Sequence, residues 1–221
     1  MSKLNETYSL GSRPCAKLHP IFSFMRRDPA ELRRELNALA LRQAGYFTAE
    51  QAKAVGYTHQ AQRYHVERAN WTQVGRALFR LPDWPEREED VYVRWRMWSR
   101  QLGVVSHQSA LSVYRLGDVN PNLVHLTVPP GFRARDPAVV LYRGILPPDD
   151  VTEREAGYLI TTPERSLLDA AAAVTQEQVD AAVADAVDEG LVVPRRLRER
   201  SDRFGELAAL RVERALSRMG R

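Results

Sequence analysis

The chain has 221 residues, of which 44% are hydrophobic and 27% are charged, and this composition excludes wholesale disorder. Its single cysteine, Cys15, excludes an internal disulfide framework and a zinc site built from several cysteines. No segment approaches the roughly 20 apolar residues that cross a bilayer, and the N-terminal residues lack the apolar stretch of a secretory signal. The sequence therefore predicts a soluble, cytoplasmic protein with no membrane partner.

The charge is small overall but unevenly distributed. The 32 basic and 28 acidic residues give a net charge of +4. Residues 151–190 contain nine acidic and two basic residues, whereas residues 191–221 contain nine basic and four acidic residues. This distribution indicates separate acidic and basic faces, and hence two kinds of partner. No lysine follows Lys53, which removes lysine-dependent chemistry from the rest of the chain.

Three short helices are predicted after a flexible leader of residues 1–27. Asp28, followed by a proline, forms a start signal for the first helix. Thr48 begins the second helix with a capping box, because a glutamine follows three residues later. Thr58 caps a third helix that runs to about residue 69.

A two-stranded ribbon is predicted after these helices. Residues 71–74 and 77–81 are rich in strand-forming residues, and Gly75 and Arg76 between them suit a tight turn. Three short helices followed by such a ribbon are the layout of a winged helix-turn-helix, which we predict for residues 28–85.

The third helix has two faces at helical periodicity. The face formed by Thr58, Gln62, Val66 and Ala69 is expected to be buried if the motif is present. Glutamine and arginine on the opposite face can read adenine and guanine edges in the major groove, and arginines on the ribbon can bind phosphates. The predicted DNA contacts are Thr58, His59, Gln60, Arg63, Tyr64, Arg76 and Arg80. A merely solvated helix with an arginine-rich ribbon is the alternative interpretation.

The rest of the chain predicts a small α+β domain over residues 86–190 and a basic helical tail over residues 191–221. A helix over residues 88–102 is expected to contribute tryptophans to the core, and Ser106 is expected to cap the next helix. Three strands and two further helices are predicted at residues 123–128, 138–142, 157–161, 165–174 and 177–189. The expected fold class is therefore α+β.

The sequence predicts no enzyme, no cofactor and no metal site. The five histidines show no metal-ligand spacing with one another or with the cysteine, and there is no phosphate-binding glycine loop. Ser106 and His107 could be taken for a nucleophile and its base, but a helix-capping serine explains the pair better. Asp149, Asp150 and Glu153 follow two prolines and are interpreted as a solvated turn and a helix start.

Several short segments, taken together in their order and spacing, carry a resemblance to a known family. They are GYFT at 45–48, GYT at 56–58, Trp71, VGRALFRLP at 74–82, VSHQSAL at 105–111 and TTPERSLLD at 161–169. Over roughly residues 29–190 the chain resembles the AbiEi family, which comprises antitoxins of bacterial abortive-infection toxin–antitoxin pairs.

This resemblance implies a winged-helix module that binds the promoter of its own gene pair and represses it. It also implies a C-terminal domain that helps neutralise a toxin of the nucleotidyltransferase fold. Two positions depart from the family pattern, since Ala69 stands where relatives often have glycine and Gln62 where an apolar residue would pack better. Some relatives carry the same α+β segment ahead of a nuclease-like domain, but the absence of a later lysine argues against a nuclease here.

The acidic stretch of residues 151–190 suits a basic toxin surface, with Asp180, Asp185 and Asp188 as candidate contacts. An exposed acidic helix that keeps the protein soluble would explain the same residues. Three functions remain open: an antitoxin that also represses its promoter, a stand-alone winged-helix transcriptional regulator whose second domain dimerises or senses a ligand, and a protein-interaction module that does not bind DNA.

Overall fold

The computed structural model describes residues 28–220, and the predicted leader of residues 1–27 lies outside them. The described chain forms an α+β protein with two sheets. No helix in this part of the chain has both the length and the apolar character needed to cross a membrane.

The first unit contains three helices and three strands. In chain order they are α1 (Pro29–Leu41), β1 (Tyr46–Thr48), α2 (Ala49–Val55), α3 (His59–Glu67), β2 (Thr72–Gly75) and β3 (Leu78–Arg80). The predicted helix starts are confirmed, because Asp28 accepts a hydrogen bond from the Ala30 N–H and the capping box between Thr48 and Gln51 is complete.

An antiparallel sheet with the strand order β1-β3-β2 closes the first unit. The sequence did not predict β1, which has only three residues and gains its hydrogen bonds from β3. The turn between β2 and β3 falls at Arg76 and Ala77, one residue later than expected, and Ala77 adopts a left-handed φ of 56°. The core of this unit is aromatic, with the Phe47 and Trp71 rings packed edge to face at 4.9 Å.

The second unit contains the remaining elements, arranged around a five-stranded mixed sheet with the order β6-β5-β4-β8-β7. Its strands are β4 (Val104–Val105), β5 (Val124–Val128), β6 (Val139–Arg143), β7 (Val151–Glu153) and β8 (Leu159–Thr161). Its helices are α4 (Asp90–Trp98), α5 (His107–Tyr114), α6 (Pro163–Ala170), α7 (Gln176–Asp188), α8 (Pro194–Ser201) and α9 (Glu206–Arg218). The three predicted strands are confirmed within two residues, whereas the short strands β4 and β7 were not predicted.

The C-terminal basic segment is folded into the core of the second unit. Leu197 on α8 and Val212 and Leu216 on α9 are fully buried, and they belong to the same apolar cluster as Val183 on α7. The described part of the predicted basic tail is thus helical but is packed against the second unit, because this segment presents an apolar face to α7.

The two units share a buried boundary. Tyr46 on β1 and Leu78 on β3 belong to the same core cluster as Val93 and Trp95 on α4. The Arg94 guanidinium on α4 also donates to the backbone oxygen of Val74 on β2 at 2.9 Å. The sheet of the first unit is therefore packed against α4.

Candidate nucleic-acid interface

The helix α3 is fixed at both ends by local backbone features. The Thr58 hydroxyl accepts a hydrogen bond from the Ala61 N–H at 3.2 Å, as expected of a helix cap. Beyond the other end, Ala69 has a φ of 56°, a conformation that glycine adopts without strain. Thr58 and Ala69, which were expected on the buried face, are both exposed because they flank the helix.

Gln62 attaches α3 to the rest of the first unit. Its side chain is buried, and its amide nitrogen donates to the backbone oxygens of Ala49 and Tyr57, each at 3.0 Å. These two acceptors lie at the start of α2 and just before α3. A glutamine at this buried position is thus explained, because its amide nitrogen is itself satisfied by two backbone acceptors.

The opposite face of α3 points to solvent. His59, Gln60, Arg63 and Tyr64 are all exposed, and the Tyr64 side chain lies beneath the Arg68 guanidinium at 5.6 Å. Arg63 forms an ion pair with Glu67, one helical turn along, at 2.7 Å. Because both side chains are well exposed, this pair is weak and Arg63 can exchange it for another acceptor.

Arg76 lies at the tip of the β2–β3 turn. It is exposed and forms no ion pair within residues 28–220. The turn itself is fixed, since the backbone oxygen of Ala77 accepts a hydrogen bond from the Ala49 N–H at 2.9 Å. This bond fixes the turn against the first residue of α2, whose far end leads into α3.

The expected DNA contact by Arg80 is wrong. The residue is 8% exposed, and its guanidinium donates to Asp90 and to Glu86, each at 2.8 Å. It also lies over the Tyr46 ring at 5.2 Å. Arg80 ends the central strand of its sheet, where the start of α4 covers it, so its charge joins the two units.

Two of the three acidic residues proposed as partner contacts have internal roles. Asp180 pairs with Arg218 on α9 and accepts from Gln176, and Asp185 accepts from the Gly117 N–H at 2.8 Å. Asp188 is exposed and has no ion-pair partner in the described part of the chain. The expectation of three available carboxylates on α7 is thus corrected to one.

Ser106 begins α5, but its side chain does not cap the helix as expected. It is buried, accepts from the Thr127 hydroxyl at 2.8 Å and lies 3.0 Å from the His107 Nδ1 atom. The His107 ring stacks on Tyr142 with a centroid distance of 3.4 Å. Burial, together with the charges of His125 and Arg165, lowers the pKa of His107 from 6.5 to about 3, so the ring is neutral at physiological pH.

The expected solvated turn at Asp149 and Asp150 is wrong for Asp150. Its buried carboxylate accepts from Arg200 on α8 at 2.8 Å and from Arg165 on α6 at 3.0 Å. Burial alone would raise the pKa of Asp150, but the hydrogen bonds and charges of the two arginines outweigh it and hold the pKa below its ordinary value. The expected helix start is limited to a single 3-10 turn over Pro148–Asp150, and Glu153 ends the strand β7 that follows it.

A metal centre is not formed by the described side chains: within residues 28–220, no group of three or more histidine, aspartate or glutamate side chains is arranged to hold a metal ion. The carboxylates of Asp90, Asp150 and Asp185 bind arginines or a backbone N–H group instead. The exposed charges of α3 and the β2–β3 turn therefore stand out as the candidate binding surface.

The architecture is that of an α+β protein with a helical and three-stranded first unit packed on a mixed-sheet second unit. It is similar to the crystal structure of the RV2827C protein from Mycobacterium tuberculosis, with a TM-score of 0.50, 19% sequence identity, and coverage of 87% of this chain and 82% of that one. At this identity the likeness concerns the fold alone. No known protein family and no curated protein matches the chain.

Proposed function

We propose that the first unit is a winged helix-turn-helix that binds duplex DNA, with α3 in the major groove and the β2–β3 turn against the backbone. The observation that carries this proposal is that α3 has one buried, anchored face and one exposed polar face. Gln62 anchors the helix by two buried hydrogen bonds, while Gln60, Arg63 and Tyr64 are exposed on the other side. The order of elements, with β1 between the first two helices and β2 and β3 after the third, suits this motif.

The exposed side chains have complementary roles in such a complex. Arg63 can donate two hydrogen bonds to a guanine edge, and Gln60 can pair with adenine. Thr58, His59 and the N–H groups at the start of α3 can bind phosphate, since a helix N-terminus attracts anions. Arg76 at the turn contributes a charge without base preference.

We further propose that the protein is the antitoxin of a bacterial toxin–antitoxin pair and represses its own promoter from the cytoplasm. This step is based on the sequence resemblance to AbiEi antitoxins. The second unit would then bind or otherwise counteract a toxin of the nucleotidyltransferase fold encoded nearby. Of the three aspartates predicted as contacts on α7, Asp188 is the one that is exposed and has no ion pair in the described chain.

A mobility-shift titration on the DNA upstream of the gene tests the first proposal. We expect the wild-type chain to bind and Arg63→Ala to bind about 10-fold or more weakly, as for the loss of one base contact. Arg214→Ala, which removes an exposed arginine from α9, is the matched control and is expected to bind like the wild type. Equal or absent binding for all three proteins would overturn the DNA-binding proposal.

Co-expression with the neighbouring gene tests the second proposal. Growth rescue and co-purification with a nucleotidyltransferase-like protein are expected for an antitoxin. A chain that binds its upstream DNA but rescues nothing, and whose gene lacks such a neighbour, would instead be a stand-alone regulator. In that case the groove of about 720 Å³ at the boundary of the two units, lined by Trp84, Glu89 and Arg154 among others, is the place to look for a bound ligand.

A further inference from the structure

A groove of about 840 Å³ adjoins the turn that carries Arg76. One wall comes from the first unit and includes Glu50 on α2 and Arg76 itself. The other wall comes from the second unit and includes Trp98 at the end of α4, Arg100 just after it, and Ala134. The candidate interface is therefore continuous with a surface of the second unit.

The wall formed by the second unit contains one arginine, Arg100, and two more, Arg133 and Arg135, flank its lining residue Ala134 in the chain. Arg100, Arg133 and Arg135 are exposed, and their guanidinium groups form no ion pair or hydrogen bond within residues 28–220. By contrast, Arg80, Arg165 and Arg200 are engaged by carboxylates. Glu50 is the acidic residue that lines the groove in the described chain. The arrangement leaves a net positive charge with unused donors beside Arg76.

The backbone around these arginines is held in place. Arg100 and Gln101 are consecutive non-glycine residues with left-handed φ values of 57° and 68°, a conformation such residues adopt at an energetic cost. The turn is closed by Ser99, whose hydroxyl donates to the Arg96 oxygen and accepts from the Gly103 N–H. Arg100 is thus presented on a rigid turn rather than on a free loop.

The segment that carries Arg133 and Arg135 is anchored to the same place. The Phe132 ring packs edge to face on Trp98 at 5.6 Å, and the Phe132 backbone oxygen accepts from the Arg143 guanidinium at 3.3 Å. These contacts hold residues 132–135 beside the end of α4, next to the groove.

We propose that Arg100, Arg133 and Arg135 bind phosphates of the same DNA duplex whose major groove receives α3. This inference rests on the proposed function of the first unit. A duplex that lies on α3 and the Arg76 turn continues past that turn, where the second unit offers three further arginines suited to phosphate. The second unit would thereby lengthen the binding site without adding base preference.

The test compares the full-length wild type with Arg100→Asn/Arg133→Ala/Arg135→Ala on the upstream duplex. Asparagine at position 100 tolerates the left-handed backbone, and equal thermal unfolding of the two proteins will verify the fold. We expect affinity at 100 mM salt to fall roughly 10-fold or more, and the slope of log K against log salt to decrease in magnitude by about 2 to 3. The footprint should shorten on one flank, while the preference for the upstream sequence over scrambled DNA is unchanged.

A matched variant, Arg195→Ala/Arg203→Ala/Arg214→Ala, removes the same number of exposed arginines from the C-terminal helical segment. It is expected to keep the full footprint and to lose at most one unit of salt slope. If both triple variants bind DNA alike, the proposal that the second unit binds phosphates is overturned. Weaker binding by Arg63→Ala would in that case still support DNA binding by the first unit. If the wild type does not bind the upstream duplex, the proposed function fails as well.

Discussion

Arg63 and Arg76, on the outer surface of the first unit, differ from Arg80 in their surroundings. The difference arises although Arg76 and Arg80 belong to the same hairpin. Arg63 and Arg76 are exposed, and the single partner of Arg63 is another exposed side chain. Arg80 is enclosed between Tyr46 and Asp90. A guanidinium with no fixed partner can bind an external phosphate or base, whereas one neutralised in the interior serves the fold. The residue type is the same in all three positions. Burial therefore decides whether an arginine is available to an external ligand or stabilises the fold.

The largest effect is expected from breaking the buried pair. Arg80→Ala would leave Asp90 buried without its counter-charge, and we expect the free energy of unfolding to fall by about 3–5 kcal/mol. Arg63→Ala should change it by less than about 0.5 kcal/mol, because its ion pair is exposed. Urea denaturation measures both. The double variant Arg80→Met/Asp90→Leu should recover most of the lost stability. Equal stability of Arg80→Ala and Arg63→Ala would contradict a structural role for Arg80.

The interior of the second unit predicts a dependence of stability on pH. The pKa of His107 is about 3 in the folded protein and 6.5 in the unfolded chain, so protons bind preferentially to the unfolded chain between these values. Stability should therefore fall as the pH drops below 6.5, by about 2 kcal/mol at pH 5 from this residue alone. Urea denaturation at pH 7 and pH 5 checks the difference.

His107→Asn is the matched variant for that experiment. Asparagine tolerates the φ of 53° at this position and carries no titrating group. The variant should be less stable than the wild type at pH 7 but should lose less stability on going to pH 5. An identical pH dependence in the two proteins would refute the buried neutral imidazole.

Arg63 and Arg76 should make different contributions to DNA binding. Arg63→Ala is expected to lose about 1–3 kcal/mol of DNA-binding free energy and to relax the base preference at one position. Arg76→Ala should weaken binding to every sequence alike and reduce the salt slope by about 1. Selection from randomised duplexes, followed by titration at several salt concentrations, separates the two. Loss of base preference in Arg76→Ala would reverse the assignment.

The smallest effect on stability is expected on α7. Asp188→Lys should change the free energy of unfolding by less than about 0.5 kcal/mol, because the side chain is exposed. Asp180→Lys should destabilise the protein, since it removes the partner of Arg218 and acceptor of Gln176. A partner that recognises the acidic face would lose affinity for Asp188→Lys. Unchanged co-purification would remove Asp188 from the proposed toxin contact.

The sequence predicted the elements whose signals are local. The starts of α1, α2 and α3 follow from Asp28, Thr48 and Thr58, because a capping side chain bonds to N–H groups two or three residues away. The short strands β4 and β7 escaped prediction, since two or three residues become a strand only when a neighbouring strand supplies hydrogen bonds.

Only the part of the candidate site that has a local sequence signal was predicted. The helical period placed Gln60 and Arg63 on the outside and Gln62 on the inside, and this orientation is confirmed. The burial of Arg80 depends on α4, and the packing of Phe132 on Trp98, which holds residues 132–135 beside the end of α4, depends on the tertiary fold, so neither had a signal in the local pattern. A polar glutamine on an otherwise buried face was the one hint that α3 is anchored by backbone hydrogen bonds.

The most direct test of the central claim is hydroxyl-radical oxidation of the full-length protein with and without its upstream duplex. Tyr64 is 53% exposed on the outward face of α3, and Leu207 is 47% exposed on α9. We predict that DNA protects Tyr64 strongly from oxidation and leaves Leu207 as reactive as before. Saturating DNA that leaves Tyr64 fully reactive would contradict the placement of α3 in the duplex.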